Sequence, residues 1–332
     1  MLKTGKLDSD LLKELVFGRI KYRDDQIRVR PGIGEDCAVI DFGDYDCVMS
    51  TDPITAAVSD IGRLAIHITC NDIASNGVKP LGIMLAVMLP EGTTEADVAH
   101  IMEQAGETAD ALQVEIIGGH TEITPAVKQP VIVSTAVGKA LTGKSQSGDN
   151  MKAGDYIMIT KSVGLEGSGI IACDYEKQLA NVLSDDEIEK AKSFLNMVSV
   201  VPEGVAAGTV GTHGMHDITE GGVMGAVWEM CQISGTGAEI WKEEIPIEPE
   251  TEKICSYFDI DPMRLISSGS MLIVAAEGKK KKMLEAIRSA GVACSVIGRV
   301  KEKSCGIMCV SGGVKAEIEP PYADEIYKVV GK

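Results

Sequence analysis

Five acidic side chains stand where charge is hard to accommodate: Asp36, Asp52, Asp72, Asp217 and Glu220. The sharpest case lies in "HITCNDIASNG", residues 67–77, where Asn71 and Asp72 sit side by side in an otherwise apolar run. Ile61, Ala65, Ile68 and Asp72 are spaced so that a helix puts all four on one face. A carboxylate on an apolar stripe is costly unless it is paired, hydrogen-bonded or bound to metal. No Lys or Arg occupies a compensating helical position, since Arg63 and Lys79 point elsewhere. Backbone amides would satisfy Asp72 alone. A hard cation held by several carboxylates would satisfy Asp36, Asp52 and Asp72 together.

Asp36 and Asp52 flank a predicted hairpin, in which "CAVIDF" and "CVMST" are strands joined around "GDYD". A turn about Asp44 sets Asp36 opposite Asp52, with Cβ atoms ~5 Å apart. Like charges so placed repel unless a cation lies between them. Two solvated strand-end acids fit the same spacing.

Two glycine pairs extend the pattern. "IIGGHTEIT" ends a strand at Gly118–Gly119, where backbone can approach a ligand, and then offers His120, Thr121 and Glu122 at the strand's exit. "MHDITEGGVMGAVWEM" sets Asp217, Thr219 and Glu220 before Gly221–Gly222 and a helix start. A helix N-terminus attracts anions, and neighbouring acids suit a metal-bound phosphate. "TKSVGLEGSG" puts Lys161 at a glycine-bearing turn without the G-x-x-x-x-G-K-[ST] order of a P-loop, so it reads as a phosphate contact or as a surface lysine. His213 and His216 have a spacing open to zinc ligation but no accompanying Cys pair. His67 reads as a core or surface histidine.

The elements that must position these residues follow from periodicity. Residues 1–25 form a polar helix with Leu11, Leu12, Leu15 and Val16 as its apolar face. Ser59 or Asp60 caps a helix through about Asn76, closed by Gly77, and "LGIMLAVML" is a buried strand. Thr94 opens a second amphipathic helix, followed by strands "VEIIGG" and "PVIVSTAVG". A polar, glycine-bearing boundary at residues 141–155 precedes strand "YIMIT", helices near 166–175 and 185–207, strand "SMLIVAA", helix 279–290 and strands near 292–299, 306–311 and 314–318. The division is an N-terminal arm (1–30) and two α+β domains (31–145 and 150–332).

At 332 residues two domains are the natural expectation, and a net charge of −17 argues against nucleic acid as partner. The basic run Lys279–Lys282 reads as a solvated helix start. Nine cysteines without a C-x-x-C pair fit a reducing cytoplasm rather than a disulfide framework. No apolar run approaches the ~18 residues of a membrane span.

"GIGEDCAVI", "STDPI", "CNDIASNGVKPLG", "GGHTEI" and "DITEGG" resemble, in order, the signatures of the aminoimidazole ribonucleotide (AIR) synthetase superfamily. The likeness spans roughly residues 30–275 and is nearest to the hydrogenase-maturation HypE branch and its AIR synthase-related relatives. It implies a PurM-like N-terminal domain whose mixed sheet pairs with its twin in a homodimeric barrel, and a PurM-like α/β C-terminal domain closing over ATP and Mg2+. By the family's pattern Asp36, Asp52, Asp72 and Asp217 are metal and phosphate ligands. Asn71, Gly221 and Gly222 match its nucleotide-side positions, and the reading of the residues adds Gly118, Gly119, Thr121, Glu122, Thr219 and Glu220 as nucleotide contacts and Asp72, His120 and Lys161 as expected catalytic groups.

The chain departs from its relatives at several points. It ends "DEIYKVVGK" without the terminal cysteine that carries the hydrogenase-maturation substrate, and its last cysteine is Cys309, placed in a strand. The first cysteine, Cys37, lies within the metal-site strand, whereas selenophosphate synthetase has its reactive residue near the N-terminus. His120 stands where thiamine-monophosphate kinase has Asp, with Glu122 as a substitute. The expected activity is ATP- and Mg-dependent activation of a small-molecule carbonyl, amide or phosphate oxygen by phosphoryl transfer. The alternatives are a catalytically reduced ATP-binding regulatory or maturation factor, with a partner protein, and a metal-binding protein without nucleotide. Substrate-reading side chains are expected on the arm (Lys3, Lys6, Arg19, Lys21, Arg23) and near Ser267–Ser270.

Overall fold

The structure, a computed structural model, describes residues 7, 9–55, 60–146 and 148–330. Lys3, Lys6 and Ser59 lie outside the described residues. The first half contains α1 (Ser9–Leu15), β1 (Ile27–Val29), β2 (Ala38–Asp41), β3 (Tyr45–Ile54), α2 (Ile61–Ser75), β4 (Pro80–Leu89), α3 (Glu95–Leu112), β5 (Glu115–Ile123) and β6 (Val131–Leu141). Its six strands run in the order β1-β2-β3-β6-β4-β5, all antiparallel except β4 beside β5.

The second half contains β7 (Tyr156–Thr160), α4 (Leu165–Asp174), α5 (Glu176–Leu179), α6 (Asp185–Ser193), α7 (Val201–Val210), β8 (Gly214–Asp217), α8 (Gly222–Ser234), β9 (Gly237–Trp241) and α9 (Pro249–Phe258). It continues with β10 (Met271–Ala275), α10 (Lys280–Ser289), β11 (Cys294–Lys301), β12 (Ile307–Ser311) and β13 (Val314–Glu317). The strand order is β13-β12-β9-β11-β7-β10-β8, mixed through the parallel β9–β12 pair. Two α+β domains with mixed sheets are therefore the architecture, and no described helix is long and apolar enough to cross a membrane.

Local chemistry explains where the elements depart from their sequence pattern. The N-terminal helix stops at Leu15 and a 3-10 turn spans Phe17–Arg19, rather than running through residue 25, and Leu15 and Val16 remain exposed. The β2–β3 hairpin closes through the two-residue loop Gly43–Asp44, with the Phe42 amide donating to the Tyr45 carbonyl. Its partners are therefore Ile40↔Cys47 and Ala38↔Met49, one residue out of the register that would oppose Asp36 and Asp52. β5 does not end at its glycine pair but continues through His120, Thr121 and Glu122 to Ile123. The expected helix 185–207 is broken, because Pro202 starts a new helix, α7, after a 3-10 turn at Phe194–Met197. β9 and α9 have no counterpart in the expected elements.

The central element is α2. Residues Ile61, Leu64, Ala65, Ile66, Thr69, Cys70, Asn71, Asp72, Ile73, Ala74 and Ser75 are buried, which leaves it almost no solvent face. It packs on β3 and β6 on one side, on α3 along its flank, and on α7 of the second half. The α7 crossing is close: a Cβ on Gly204 would lie 2.4 Å from the Ala74 carbonyl oxygen. Asn71 fastens the same junction. Its Nδ2 donates to the Val198 carbonyl at 2.8 Å, and its Oδ1 accepts from the Val200 amide at 2.8 Å.

Glu166, in the first turn of α4, is buried and leaves Oε2 without a hydrogen-bond partner. Burial pushes its carboxyl up to about 7 against the opposing effect of hydrogen bonds from Ser268, with Asp324 and Glu220 adding to the rise.

Two outcomes follow. Asn71→Ala strands the buried Val200 amide and Val198 carbonyl, and urea unfolding should show a loss on the order of 3 kcal/mol. For Glu166, the folded state holds its proton up to about pH 7 while the unfolded chain releases it near 4.5. The folded state thus binds more protons between those values, so this group's contribution to stability falls as pH rises through that window, by on the order of 3 kcal/mol. Glu166→Gln should remove that fall, making the variant more stable than the parent at pH 8 but not at pH 4, as read by unfolding at both values.

Candidate functional site

The acids converge where the two halves meet. Asp52 lies on the inner, helix-covered side of β3, paired with Ser134 of β6, whose hydroxyl meets Thr69 of α2 at 2.5 Å. Asp72 projects from α2 toward the same strand, and the Ser50 hydroxyl donates to its Oδ2 at 2.5 Å. Asp36 lies just before β2, and the adjacent Cys37 thiol donates to the Asp72 backbone carbonyl at 3.2 Å. From the second sheet, β8 brings His216 and Asp217, held in register by β10 through His216↔Leu272 and Asp217↔Met271. Asp36, His216 and Asp217 each offer a ligand atom within 4.8 Å of the others.

Electrostatics mark the cluster as strained without a cation. Burial raises the Asp72 carboxyl well above the carboxylate range, and Asp217, Asp52 and Asp36 raise it further. Burial and the Asp36 charge likewise raise Asp217, against the opposing charge of His216. The Cys37 thiol is pushed up by burial and by all four acids, which makes it a poor nucleophile. Burial lowers the proton affinity of His216, but Asp36 at 2.9 Å from Nδ1 and Glu229 of α8 at 3.1 Å from Nε2 outweigh it, so the imidazole titrates well above its usual range. Among the described residues no Lys or Arg forms an ion pair with Asp36, Asp52, Asp72 or Asp217. Asp217 Oδ2 is buried without a hydrogen-bond partner. A set of clustered carboxylate oxygens with an orphaned buried member suits a hard divalent cation.

The remaining expected site residues are placed differently. His120, Thr121 and Glu122 lie on the exposed edge strand β5, where His120 and Glu122 meet each other at 3.3 Å. The ladder runs Asp52↔Ser134, Ser134↔Leu85, Leu85↔Gly119. Three strand spacings, roughly 14 Å, therefore separate Asp52 from Gly118, Gly119 and His120 within one chain.

Lys161 is mostly buried, and its three donors go to the Ser199 carbonyl at 2.8 Å, the Gly269 carbonyl at 2.7 Å and the Glu203 carboxylate. That leaves none for a phosphate. Asn71 has both ends of its amide on Val198 and Val200 rather than on a ligand.

The Gly221 amide, expected to face an anion, donates at 2.7 Å to Asp324 of the C-terminal segment, which also accepts from Ile266 and Ile326. Gly222 (φ 61°) is confined by its neighbours, since a Cβ there would lie 2.5 Å from the Met263 carbonyl oxygen. Thr219 is half-buried and Glu220 exposed. Ser267 and Ser270 are buried and bonded to the Gly164 amide and the Ser162 carbonyl, so they hold backbone rather than read a substrate.

Ser50, Glu229 and Asp324 were not expected. Only Ser50 left a usable signal, as an inward-facing hydroxyl two residues before Asp52 on a strand of period two.

The chain matches the AIR synthase related protein N-terminal domain over residues 34–140 and the AIR synthase related protein C-terminal domain over residues 152–310. It is 30% identical over 263 residues to carbamoyl dehydratase HypE of Bradyrhizobium diazoefficiens, covering 77% of this chain and 74% of the relative. A putative hydrogenase expression/formation protein of Methanocaldococcus jannaschii is 27% identical over 98% of this chain and 97% of its own. Among solved structures, a chain of a HypE–HypF complex superimposes with a TM-score of 0.77 at 24% identity, over 94% of this chain and 99% of the other. HypE in complex with ATP does so at 0.70 and 21% identity, over 97% of both. The buried acids thus sit in a shared fold, and the chain belongs to the AIR synthase related family, alongside the HypE proteins.

Proposed function

We propose that the chain is an ATP-dependent enzyme that binds the nucleotide through Mg2+ held by Asp36, Asp52, Asp72 and Asp217. It would transfer a phosphoryl group to a carbonyl, amide or phosphate oxygen of a small molecule. The observation that carries this reading is the convergence, from both halves, of four carboxylates that no Lys or Arg of the described chain neutralises. The likeness to HypE solved with ATP and to the named dehydratase supports it. A bound divalent ion would supply charge neutralisation for a phosphoryl transfer, which needs positioning more than covalent help. The chain's own residues fix the ligands: Ser50 orients Asp72 by its hydroxyl, Thr69 and Ser134 brace the strand beside Asp52, and Asp217 keeps a buried, unpartnered oxygen.

A second reading, a nucleotide-binding maturation factor with reduced turnover, draws on the engagement of Lys161 by Glu203 and on the distance of His120 from the acids. The HypE–HypF complex is a precedent for a protein partner.

A homodimer is part of the proposal. The outer face of the first sheet is uncovered: Leu81 is 62% and Met84 48% exposed, with Met49, Val133 and Val137 half-buried beside them. Among the described residues β5 is an edge strand without an outer neighbour, and it carries exposed Ile117 and Ile123. A face and edge of this kind call for a second sheet.

Two measurements test the proposal. ATP plus Mg2+ should raise the melting temperature of the parent more than either alone, and Asp72→Asn should lose most of that increment together with any substrate-dependent hydrolysis. Retention of full MgATP stabilisation by Asp72→Asn would remove that residue from the site, and stabilisation without turnover over a metabolite panel would favour the second reading. For the dimer, Met84→Lys should shift the particle to monomer mass by light scattering while its circular dichroism stays unchanged. An unshifted mass would place the interface elsewhere.

A further inference from the structure

We propose that Asp36, His216 and Asp217 form a metal position that selects a d-block divalent ion (manganese, iron, cobalt, nickel or zinc) over magnesium. The inference rests on the nucleotide reading only in the premise that these acids hold a cation, and it revises that reading by giving Asp36 and Asp217 a separate ion while Asp52 and Asp72 keep magnesium.

Four observations carry it. The Nδ1 of His216 and Oδ2 of Asp36 are 2.9 Å apart, and with Asp217 their ligand atoms fall within 4.8 Å of one another. Adjacent ligands of an octahedral ion with bonds of ~2.1 Å lie about 3 Å apart, so the pair is already spaced to share one ion. Glu229 accepts from the other ring nitrogen, Nε2, at 3.1 Å. A carboxylate on the distal nitrogen is the arrangement that fixes the ring and tautomer of a metal-binding histidine and leaves the proximal nitrogen for the ion.

Asp217 is 2% exposed, and its Oδ2 reaches no partner, so a buried acceptor on a member of the cluster is unsatisfied by the protein itself. Finally, His216 and Asp217 lie on β8, locked to β10 by ladder pairing, which makes their geometry a property of the sheet rather than of a mobile loop.

The donor set decides the ion. Mg2+ binds oxygen and keeps much of its water, whereas an imidazole nitrogen between two carboxylates favours manganese, iron, cobalt, nickel or zinc. Asp52 and Asp72 lie outside the set that includes His216, and the Ser50 hydroxyl on Asp72 is an oxygen contact of the kind magnesium suits. The ion takes the place of the Nδ1 proton, which passes to solvent.

The test uses the full chain stripped by chelator and titrated with metal alone, without nucleotide. Calorimetry with MnCl2, CoCl2 and MgCl2, and the visible absorption of Co2+, should show one equivalent bound, with Mn2+ and Co2+ favoured over Mg2+ by roughly a hundredfold. His216→Asn should lower Mn2+ and Co2+ affinity at least about tenfold while leaving Mg2+ affinity within about twofold. Glu229→Gln, which touches no ion, should lower Mn2+ and Co2+ affinity by about 10- to 100-fold and alter the Co2+ spectrum. Circular dichroism of both variants checks folding, and the Glu229 variant stands in if His216→Asn does not fold. Unchanged Co2+ affinity in the folded variants, or a parent that binds Mg2+ as tightly as Mn2+, overturns the assignment. Because nucleotide is absent from the titration, that failure leaves the MgATP result untouched. Loss of the MgATP result in turn leaves this one standing.

Discussion

Mutual repulsion among carboxylates withdrawn from water is the constraint around which the molecule is organised. Asp72 and Asp217 are buried, the Asp217 charge raises the proton affinity of Asp72, and Asp36 and Asp52 add to both. Burying even one unpaired carboxylate carries a penalty of several kcal/mol. A fold that gathers four must hold them in place against that force, which a bound proton or, in the proposed reading, a cation would relieve. The supports are visible: Ser50 on Asp72, the Thr69–Ser134 hydroxyl pair beside Asp52, and the single imidazole of His216 on Asp36. Stability is given up locally at the acid cluster and recovered in the aliphatic cores on either side.

Because the acids come from both sheets, the junction between the halves sets the site's geometry. α2 belongs to the first core but is clamped to the second half by Asn71 and by the close approach of Gly204 to Ala74. Lys161 and Glu203 reinforce the same segment from the other side, with Thr160 hydrogen-bonded to the carboxylate. A small displacement at Val198–Val200 would therefore move Asp72 relative to Asp217. Asn71 and Asp72 are neighbours in sequence because one holds the two halves at a fixed separation and the other uses that separation.

Much of this was legible in the chain. The inward position of Asp72 follows from helical spacing alone, and the strands and helices that carry Asp52 and Asp217 follow from apolar runs and glycine stops. What was not legible depends on contacts between distant segments. A one-residue difference in loop length moved the hairpin register, and composition around "GDYD" does not encode it. His120 follows a glycine pair that permits close approach, yet the strand continues through it to the sheet edge. Lys161 and Asn71 have the residue types of ligand contacts, but Glu203 and the Val198–Val200 backbone, both remote in sequence, engage them first. Burial was predictable from pattern, whereas partner choice was not.

The way those partners are engaged bears on how phosphate could be held. Four direct donors were expected: the Lys161 ammonium, the Asn71 amide, the Gly221 amide at the start of α8, and the His120 ring. The first three are bonded within the protein, the last of them to Asp324, a carboxylate that takes the place an external anion would occupy at a helix N-terminus. The fourth lies three strands from Asp52. With these donors engaged elsewhere, the proposed reading assigns more of a ligand's negative charge to metal ions. In the proposed reading, the acids of a chain of net charge −17 would bind a polyphosphate through such ions. In the proposed reading, the acidic composition that argued against nucleic acid would, at this one place, be the means of binding a nucleotide.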